Sequence, residues 1–252
     1  MSKRTGIGSR LYIDGNDVSG NIGSIGTIAA TRALLDQTDI TQHAMDRGPG
    51  LGDGQMTYLA WWDGTPVTGA HQVLRGLRNR GIVSICHGVT LGSPVASLLS
   101  DQVDYSIARS PDATLAATID MQASGGVPLE WGVLLTSSGS EPRQTVASAG
   151  NGSDVDLTDV STAFGATLYV HVLSLSGTSV TVKVQDAATL PTYADVAGLT
   201  TTAITPAGAP TAQRAATGPT ATIRRFVRIV TTGTFTNAVI VAAFVRNMAA
   251  QD

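Results

Sequence analysis

Hydrophobic and polar positions alternate most cleanly in the last third of the chain. Across 179–186, Val180, Val182 and Val184 point one way and Thr181, Lys183 and Gln185 the other, the period of a half-buried strand. A second apolar stretch at 166–175 precedes it, and Ser176-Gly177-Thr178 predicts a hairpin turn between the two. Further strands are predicted at 200–205, 212–217, 222–231 and 238–246. About eight strands within 146–252, punctuated by Gly and Pro, predict a β-sandwich or jelly roll.

The first part of the chain carries weaker strand patterns at 10–13, 22–31, 55–63, 81–88, 102–109 and 114–123, then the apolar run 128–135. One helical period stands among them. Val67, Ala70, Leu74 and Leu77 fall on one face, Thr65 suits the N-cap and Pro66 the first helical position. Arg75, Arg78 and Arg80 crowd the far end and complement the helix dipole, with Gly81 just beyond. Residues 48–54 hold four glycines and a proline. That composition predicts a long loop across 42–55, neither helix nor strand, and loops of that length are usually functional or mobile. Gly20, Gly23 and Gly26 have no helix after them and predict turns instead of a nucleotide site.

Composition sharpens this picture. The chain is 42% hydrophobic and 14% charged, against about 25% charged in a typical globular protein. A disordered chain is excluded. So is a basic DNA-binding protein, because 16 Lys+Arg against 19 Asp+Glu leave a net charge of −3. The acidic excess falls within 1–150, and 19 of the 32 threonines fall within 146–252. With a linker-like stretch at 137–142, these shifts predict two domains, 1–145 and 146–252. No apolar run is long enough for a membrane helix, and no apolar segment follows the basic Lys3-Arg4, so neither membrane insertion nor a signal peptide is expected. The single cysteine, Cys86, lies in an apolar strand and reads as a core thiol.

A search for chemistry finds little. The four histidines show no metalloprotease spacing, and Glu130 and Glu141 are the two glutamates, too few for a glutamate acid–base pair. No catalytic residue and no cofactor are expected. Asp154, Asp156 and Asp159 alternate as Ca²⁺ ligands can, but equally make a polar turn with Val155 and Leu157 on its apolar side, so no metal is expected. Arg224, Arg225 and Arg228 suit a solvated face or an ion-paired interface better than a nucleic-acid patch. Trp61, Trp62 and Trp131 read as core and interface anchors. Low charge, many strands and apolar area left to bury describe a self-assembling subunit.

Several stretches then resemble the major tail tube proteins of siphovirus-type phages, particularly those of actinobacteria. They are Leu11-Tyr12-Ile13-Asp14-Gly15-Asn16-Asp17-Val18-Ser19-Gly20, the passage from Pro49 to Asp63, Leu129-Glu130-Trp131-Gly132, and the stretch from Thr222 to Val230. The resemblance implies a mainly β chain: a tail-tube fold of two packed antiparallel sheets with one flanking α-helix, then a C-terminal β-sandwich or jelly roll. It implies stacked hexameric rings of this chain, a hollow conduit for phage DNA, and contacts with tape measure, distal tail and terminator proteins. It implies assembly in the host cytoplasm and a place in the virion. The loop would reach a neighbouring ring through Met45, Arg47, Pro49, Leu51 and Asp53. A conduit that lets DNA slide should be neutral or acidic, which nominates Asp101, Asp104, Asp112 and Asp120 as lumen-facing. The competing class is a decoration or receptor-binding module that holds cell-surface glycan through 146–252. An enzyme acting on cell-wall polysaccharide is disfavoured by the scarcity of glutamate.

Overall fold

The structure, a computed structural model, describes residues 8–66, 69–158 and 160–249. Val67 and Asp159 therefore lie outside the described residues. The chain is mainly β. In order it forms β1 (Arg10–Ile13), β2 (Asn16–Asp17), β3 (Ile22–Asp36), β4 (Arg47–Trp61), β5 (Gly81–Cys86), β6 (Pro94–Arg109), β7 (Leu115–Ala123) and β8 (Glu130–Leu134). There follow β9 (Gln144–Val146), β10 (Gly150–Asn151), β11 (Val155–Asp156), β12 (Ala166–Ala187), β13 (Ala194–Thr200), β14 (Thr211–Ala216) and β15 (Phe226–Arg246). Among the described residues one α-helix, α1 (Ala70–Leu74), lies between β4 and β5.

The chain divides into two compact units. The first comprises 1–20, 82–97 and 131–252, and the second 21–81 and 98–130. This division does not follow the boundary at 145/146 that composition suggests. The reason is pairing. β9 pairs with β15 at Ala238–Ile240 and β8 pairs with it at Ala243 and Phe244, so the chain around 130–146 joins the C-terminal strand. The expected linker at 137–142 is tied down as well. The Ser137 hydroxyl donates to the Val89 carbonyl at 2.5 Å, and Arg143 pairs with Glu141 and Asp17.

The first unit is organised by β12 and β15, which pair antiparallel along almost their whole lengths. The 22 residues of β12 hold β14 beside Thr167–Val172 and β13 beside Lys183–Asp186. Their middle bears bulges, at Val172/Ser174 and on both sides of Gly177. Gly177 and Gly233 adopt φ of +129° and +113°, a conformation L side chains rarely take. A Cβ on Gly233 would stand 2.3 Å from the Ser179 carbonyl oxygen. The stretch 176–178 is thus a bulge within one strand, where a hairpin turn is expected from sequence. The strands expected at 166–175 and 179–186 are the two halves of β12, and 222–231 and 238–246 merge into β15. The ribbon's apolar positions, Val170, Val172, Val180, Val182, Val184, Val227, Ile229 and Ile240 among them, line one buried cluster.

The first half of β12 is buried on both faces. Thr167, Tyr169 and His171 alternate with the cluster residues Leu168, Val170 and Val172, and His171 meets β1 and β5. His171 is 1% exposed. Its Nδ1 accepts the Gly15 N–H at 3.2 Å, so Nε2 carries the proton and donates to Ser84 Oγ at 2.9 Å. Ser84 in turn bonds Ser97 Oγ at 3.0 Å. Cys86 sits in the same core, where burial pushes its thiol up to about 12, leaving it unreactive.

In the second unit, β3, β4, β7 and the later part of β6 form an antiparallel sheet in that order. Met56, Tyr58, Ala60, Ala117, Ile119 and Met121 are buried on one face, and Ala70, Val73 and Leu74 of α1 are buried too. The helix is only five residues long. Gly69, not Thr65, is its N-cap, and Arg75 its C-cap. Thr65 instead donates its N–H and hydroxyl to Asp63 at 2.9 and 2.6 Å, which makes a turn of the expected first coil. Leu77, expected on the helix's apolar face, takes φ +40° and is half-exposed. Gln102 replaces the missing turn, donating Nε2–H to the Leu74 carbonyl at 2.8 Å.

Two outcomes are expected of this fold. Gly233→Ala should cost at least about 2 kcal/mol in urea unfolding, through strained backbone and the clash with Ser179. Burial also depresses the His171 pKa from 6.5 to about 3. The unfolded chain binds that proton as pH falls through 6.5 and the native chain only near 3, so this stability is present above 6.5 and drains across that window. Unfolding at about pH 7.5 and about pH 5 should show a loss for the native sequence, and a smaller one for His171→Gln.

Candidate functional site

The glycine-rich stretch is a strand. Residues 48–54 lie within β4, which with β3 makes a long hairpin joined through 37–46. The expected loop at 42–55 is therefore the turn and outer strand of a β-ribbon. The glycines explain why a strand is possible. Gly48 and Gly50 lie on one side and Gly52 and Gly54 on the other of a bulge in β4, where Arg32 pairs with Gly52 but Leu34 with Pro49, so the alternation changes face within the stretch. Added Cβ atoms would meet the Gln37 side chain at 2.6 Å, Ala33 Cβ at 3.0 Å, Pro128 Cβ at 3.2 Å and the Leu129 N at 2.5 Å. Neighbouring atoms already occupy the space a side chain would need. Pro49 is accommodated where β7 has not begun, because β7 joins β4 only from Gln55 to Trp61. Gly23 and Gly26, expected in turns, lie in β3, and the Trp61 indole covers Gly23.

Beyond that bulge one face of β4 carries Asp53, Gln55, Thr57, Leu59 and Trp61. Register extends this face across the sheet. Asp120 stands opposite Thr57 and Asp104, Gln122 opposite Gln55 and Asp101, Ser106 opposite Thr118, and Ala108 opposite Ala116. Asp53, one of the five residues nominated for the inter-ring contact, and three of the four nominated aspartates thus share one face, while Arg47, Pro49 and Leu51 lie at or beyond the bulge. Met45 lies in the hairpin turn, and Asp112 in the turn between β6 and β7, where it accepts from Ser110 Oγ and from the Thr114 N–H at 3.1 Å.

The face is polar and mostly acidic. Asp101 accepts the Arg80 N–H at 2.7 Å and the Ser124 hydroxyl at 2.8 Å, which hold its carboxyl below the usual range. Asp120 accepts Nε2–H groups from Gln55 and Gln122 at 3.0 and 2.9 Å. Asp104 accepts the Ser106 hydroxyl at 2.5 Å. Arg109 falls on the other alternation of β6, Arg75 caps α1, and Arg78 donates Nε–H to the Val73 carbonyl at 2.9 Å. Towards the β6–β7 turn the face becomes apolar through Leu59, Trp61, Ala108 and Ala116.

Beyond Asp53 the ribbon has two strands only, and its large apolar side chains lie in solvent. Ile40 is fully exposed, Leu51 is 86% and Leu34 68% exposed, and Leu35 and Met45 are also exposed. β3 has β4 as its one partner among the described residues. Its 15 residues include two charges, Arg32 and Asp36, and no proline, and bulges at Ile22/Ser24 and Ile25/Ile28 interrupt the edge near its start.

Other nominated groups find partners within their own unit. Asp156 forms a two-pronged ion pair with Arg225, both contacts 2.7 Å, and this guanidinium pulls its pKa down to about 2. Of the three alternating aspartates, Asp156 is thus committed to Arg225. Among the described residues no group of three or more His, Cys, Asp or Glu is placed to hold a metal. Arg224 pairs with Asp186 at 3.7 Å, while Arg228 donates to Gln185 Oε1 and lies 3.8 Å over the Tyr193 ring. Trp61, Trp62 and Trp131 are each about half-exposed, so none is a core residue.

No protein-family model matches the chain, and no curated protein matches it. Among solved structures it is similar to the Dit protein of phage SPP1, described as a paradigm of the hub adsorption apparatus in phages infecting Gram-positive bacteria. That similarity has 10% identity and a TM-score of 0.34, covering 94% of this chain and 99% of the other. The activated baseplate of phage p2, with Sr or with Ca, gives 9% identity and TM-scores of 0.33 and 0.32, covering 95% of this chain and 98% of those. Similarities this distant assign no role by themselves.

Asp104 and Asp120 are directly opposed like charges, which destabilise a sheet locally. Asp104→Asn keeps an acceptor for Ser106 and should stabilise the chain by about 0.5 kcal/mol in low-salt urea unfolding, the gain shrinking as salt screens the pair.

Proposed function

We propose that the chain is a structural subunit of a phage tail, and specifically its major tail tube protein, which closes into stacked hexameric rings around a DNA conduit. The single observation that carries this reading is the four-stranded sheet of the second unit. One face is apolar and buried, the other polar and acidic, and the margin along β3 is open. Copies joined margin to margin would close the sheet into a barrel. The face bearing Asp101, Asp104 and Asp120 would line its lumen. Carboxylates there repel the phosphate backbone, so DNA gains no counterion-release energy from the wall and slides. The projecting hairpin, with Leu34, Ile40, Met45 and Leu51 in solvent, would reach the next ring. In this reading the chain belongs to the virion, its partners are its own copies and the proteins at the tube's ends, and its work is mechanical, not enzymatic.

Negative-stain microscopy and sedimentation of the concentrated protein test this. Hollow rings or tubes are expected, and Leu51→Asp should leave single rings while unfolding as the native sequence does. A particle that stays monomeric at high concentration would overturn the reading. Rings that never stack, even in the native sequence, would point to a hub or baseplate ring instead of a tube.

A further inference from the structure

The chain contains three Asp-Gly pairs, Asp14-Gly15, Asp53-Gly54 and Asp63-Gly64. Such pairs can cyclise, because glycine offers an unhindered backbone nitrogen to the neighbouring carboxyl carbon. Whether they do depends on where the folded chain directs the carboxyl and the nitrogen, and the three differ.

At the first pair the two groups are directed apart. Asp14 accepts the Ile82 N–H at 2.8 Å, and the Gly15 N–H is committed to the buried His171 at 3.2 Å. At the third, the Asp63 carboxylate is turned to Thr65 and Asn21, with contacts of 2.9, 2.6 and 3.1 Å. The Thr65 hydroxyl and N–H also lower its pKa, which keeps it ionised and a poor electrophile. Asp53 does the opposite. It is exposed and turns its carboxyl back onto its own neighbour, with Oδ1 2.7 Å from the Gly54 nitrogen. The pair also stands where the sheet thins, since β7 supports β4 only from Gln55 onward.

We infer that Asp53-Gly54 is a site of spontaneous backbone rearrangement to isoaspartate in the folded protein, and that the other two pairs are protected. In the first step the Gly54 nitrogen bonds to the Asp53 carboxyl carbon. The bond from that carbon to its hydroxyl oxygen breaks, and one water leaves with the hydroxyl and the amide proton. The product is a succinimide ring, one water lighter than the chain. Water then adds to either ring carbonyl. Cleavage at the former side-chain carbon restores aspartate. Cleavage at the main-chain carbonyl leaves the chain running through the side-chain carbon, with a free carboxylate in its place. No oxidant or other reactant is needed. The rearranged backbone carries one extra methylene beside Gly54, where Leu129 leaves no room for so much as a Cβ. The rearrangement would therefore loosen the register of 47–53 against β3.

The test is incubation of the purified full chain at mildly acidic pH for several weeks, followed by peptide mapping. Isoaspartate is read by methyl transfer from a protein isoaspartyl methyltransferase and by fragmentation mass spectrometry. In the folded protein isoaspartate should accumulate at 53, with 14 and 63 slower by roughly tenfold or more, because they react only through local opening. In urea the three should approach one another. Asp53→Glu, whose longer side chain cyclises poorly, should remove the signal at 53 and leave the others unchanged. A folded chain in which 53 is as silent as 14 and 63, while all three react in urea, would overturn the inference. None of these readouts depends on whether the protein forms rings.

Discussion

The long antiparallel pair of β12 and β15 is the constraint on which the first unit depends. Each strand exceeds twenty residues, well beyond the usual five or six. A ribbon of that length cannot stay flat and still bury one face along its whole extent. Bulges in β12 and the left-handed Gly177 and Gly233 let it change direction in the middle. Its two halves can then carry different neighbours, β14, β9 and β8 on one and β13, β10 and β11 on the other. The inward phase shifts from Val172 to Leu175 and back to Val180 across these bulges, so both halves of β12 feed one buried cluster. The first half of β12 has core on both sides, so His171 reaches the turn between β1 and β2 and ties the start of the chain to its last third.

The second unit shows a different economy. Its sheet hides one face and leaves the other wet, as antiparallel sheets commonly do. The wet face, however, places like charges opposite each other and gives up the alternating-sign pattern that would solvate a sheet at least cost. Sequences that break a local rule generally do so at functional sites. The opposed Asp104 and Asp120 are therefore a local cost that the sheet itself does not require. The glutamines beside Asp120 fit this view, since they hold the carboxylate in place without neutralising it.

Much of this was legible from the residues, and the failures have definite causes. The mainly β class followed from period-two alternation and abundant Thr and Val. β14, β6 and β7 fell close to their expected places. Turn chemistry misled twice. Ser176-Gly177-Thr178 satisfies the rules for a hairpin, but a bulge uses the same residue types for the same backbone reason. The glycines of 48–54 predict a loop on composition, although their spacing of two carries strand information that composition discards. The helix is shorter than its apolar period predicts because that period runs across Gly69 and Gly76, both of which cost helix stability. The Asp154–Asp159 stretch could not have been resolved, because the partner that neutralises Asp156, Arg225, is 69 residues away. Similarly, nothing local shows that the aspartates of β6 and β7 share a face with Asp53. That follows only from register.

The glycine-rich stretch also bears on why the hairpin projects at all. A two-stranded ribbon is at best marginal in water, and glycine makes it more so, because it surrenders the most backbone entropy on ordering. A monomer has no reason to keep such an arm, and still less to give it exposed Leu34, Ile40, Met45 and Leu51. Burying each of these would contribute roughly 1.5–3 kcal/mol, enough together to offset the ordering of a short ribbon. At its base Gly52 and Gly54 give the arm a face without side chains, along which Pro128 and Leu129 run. Further out the bulge turns Gly48 and Gly50 towards Gln37 and Ala33 of the partner strand, so there the missing side chains let the two strands of the ribbon pack closely on each other.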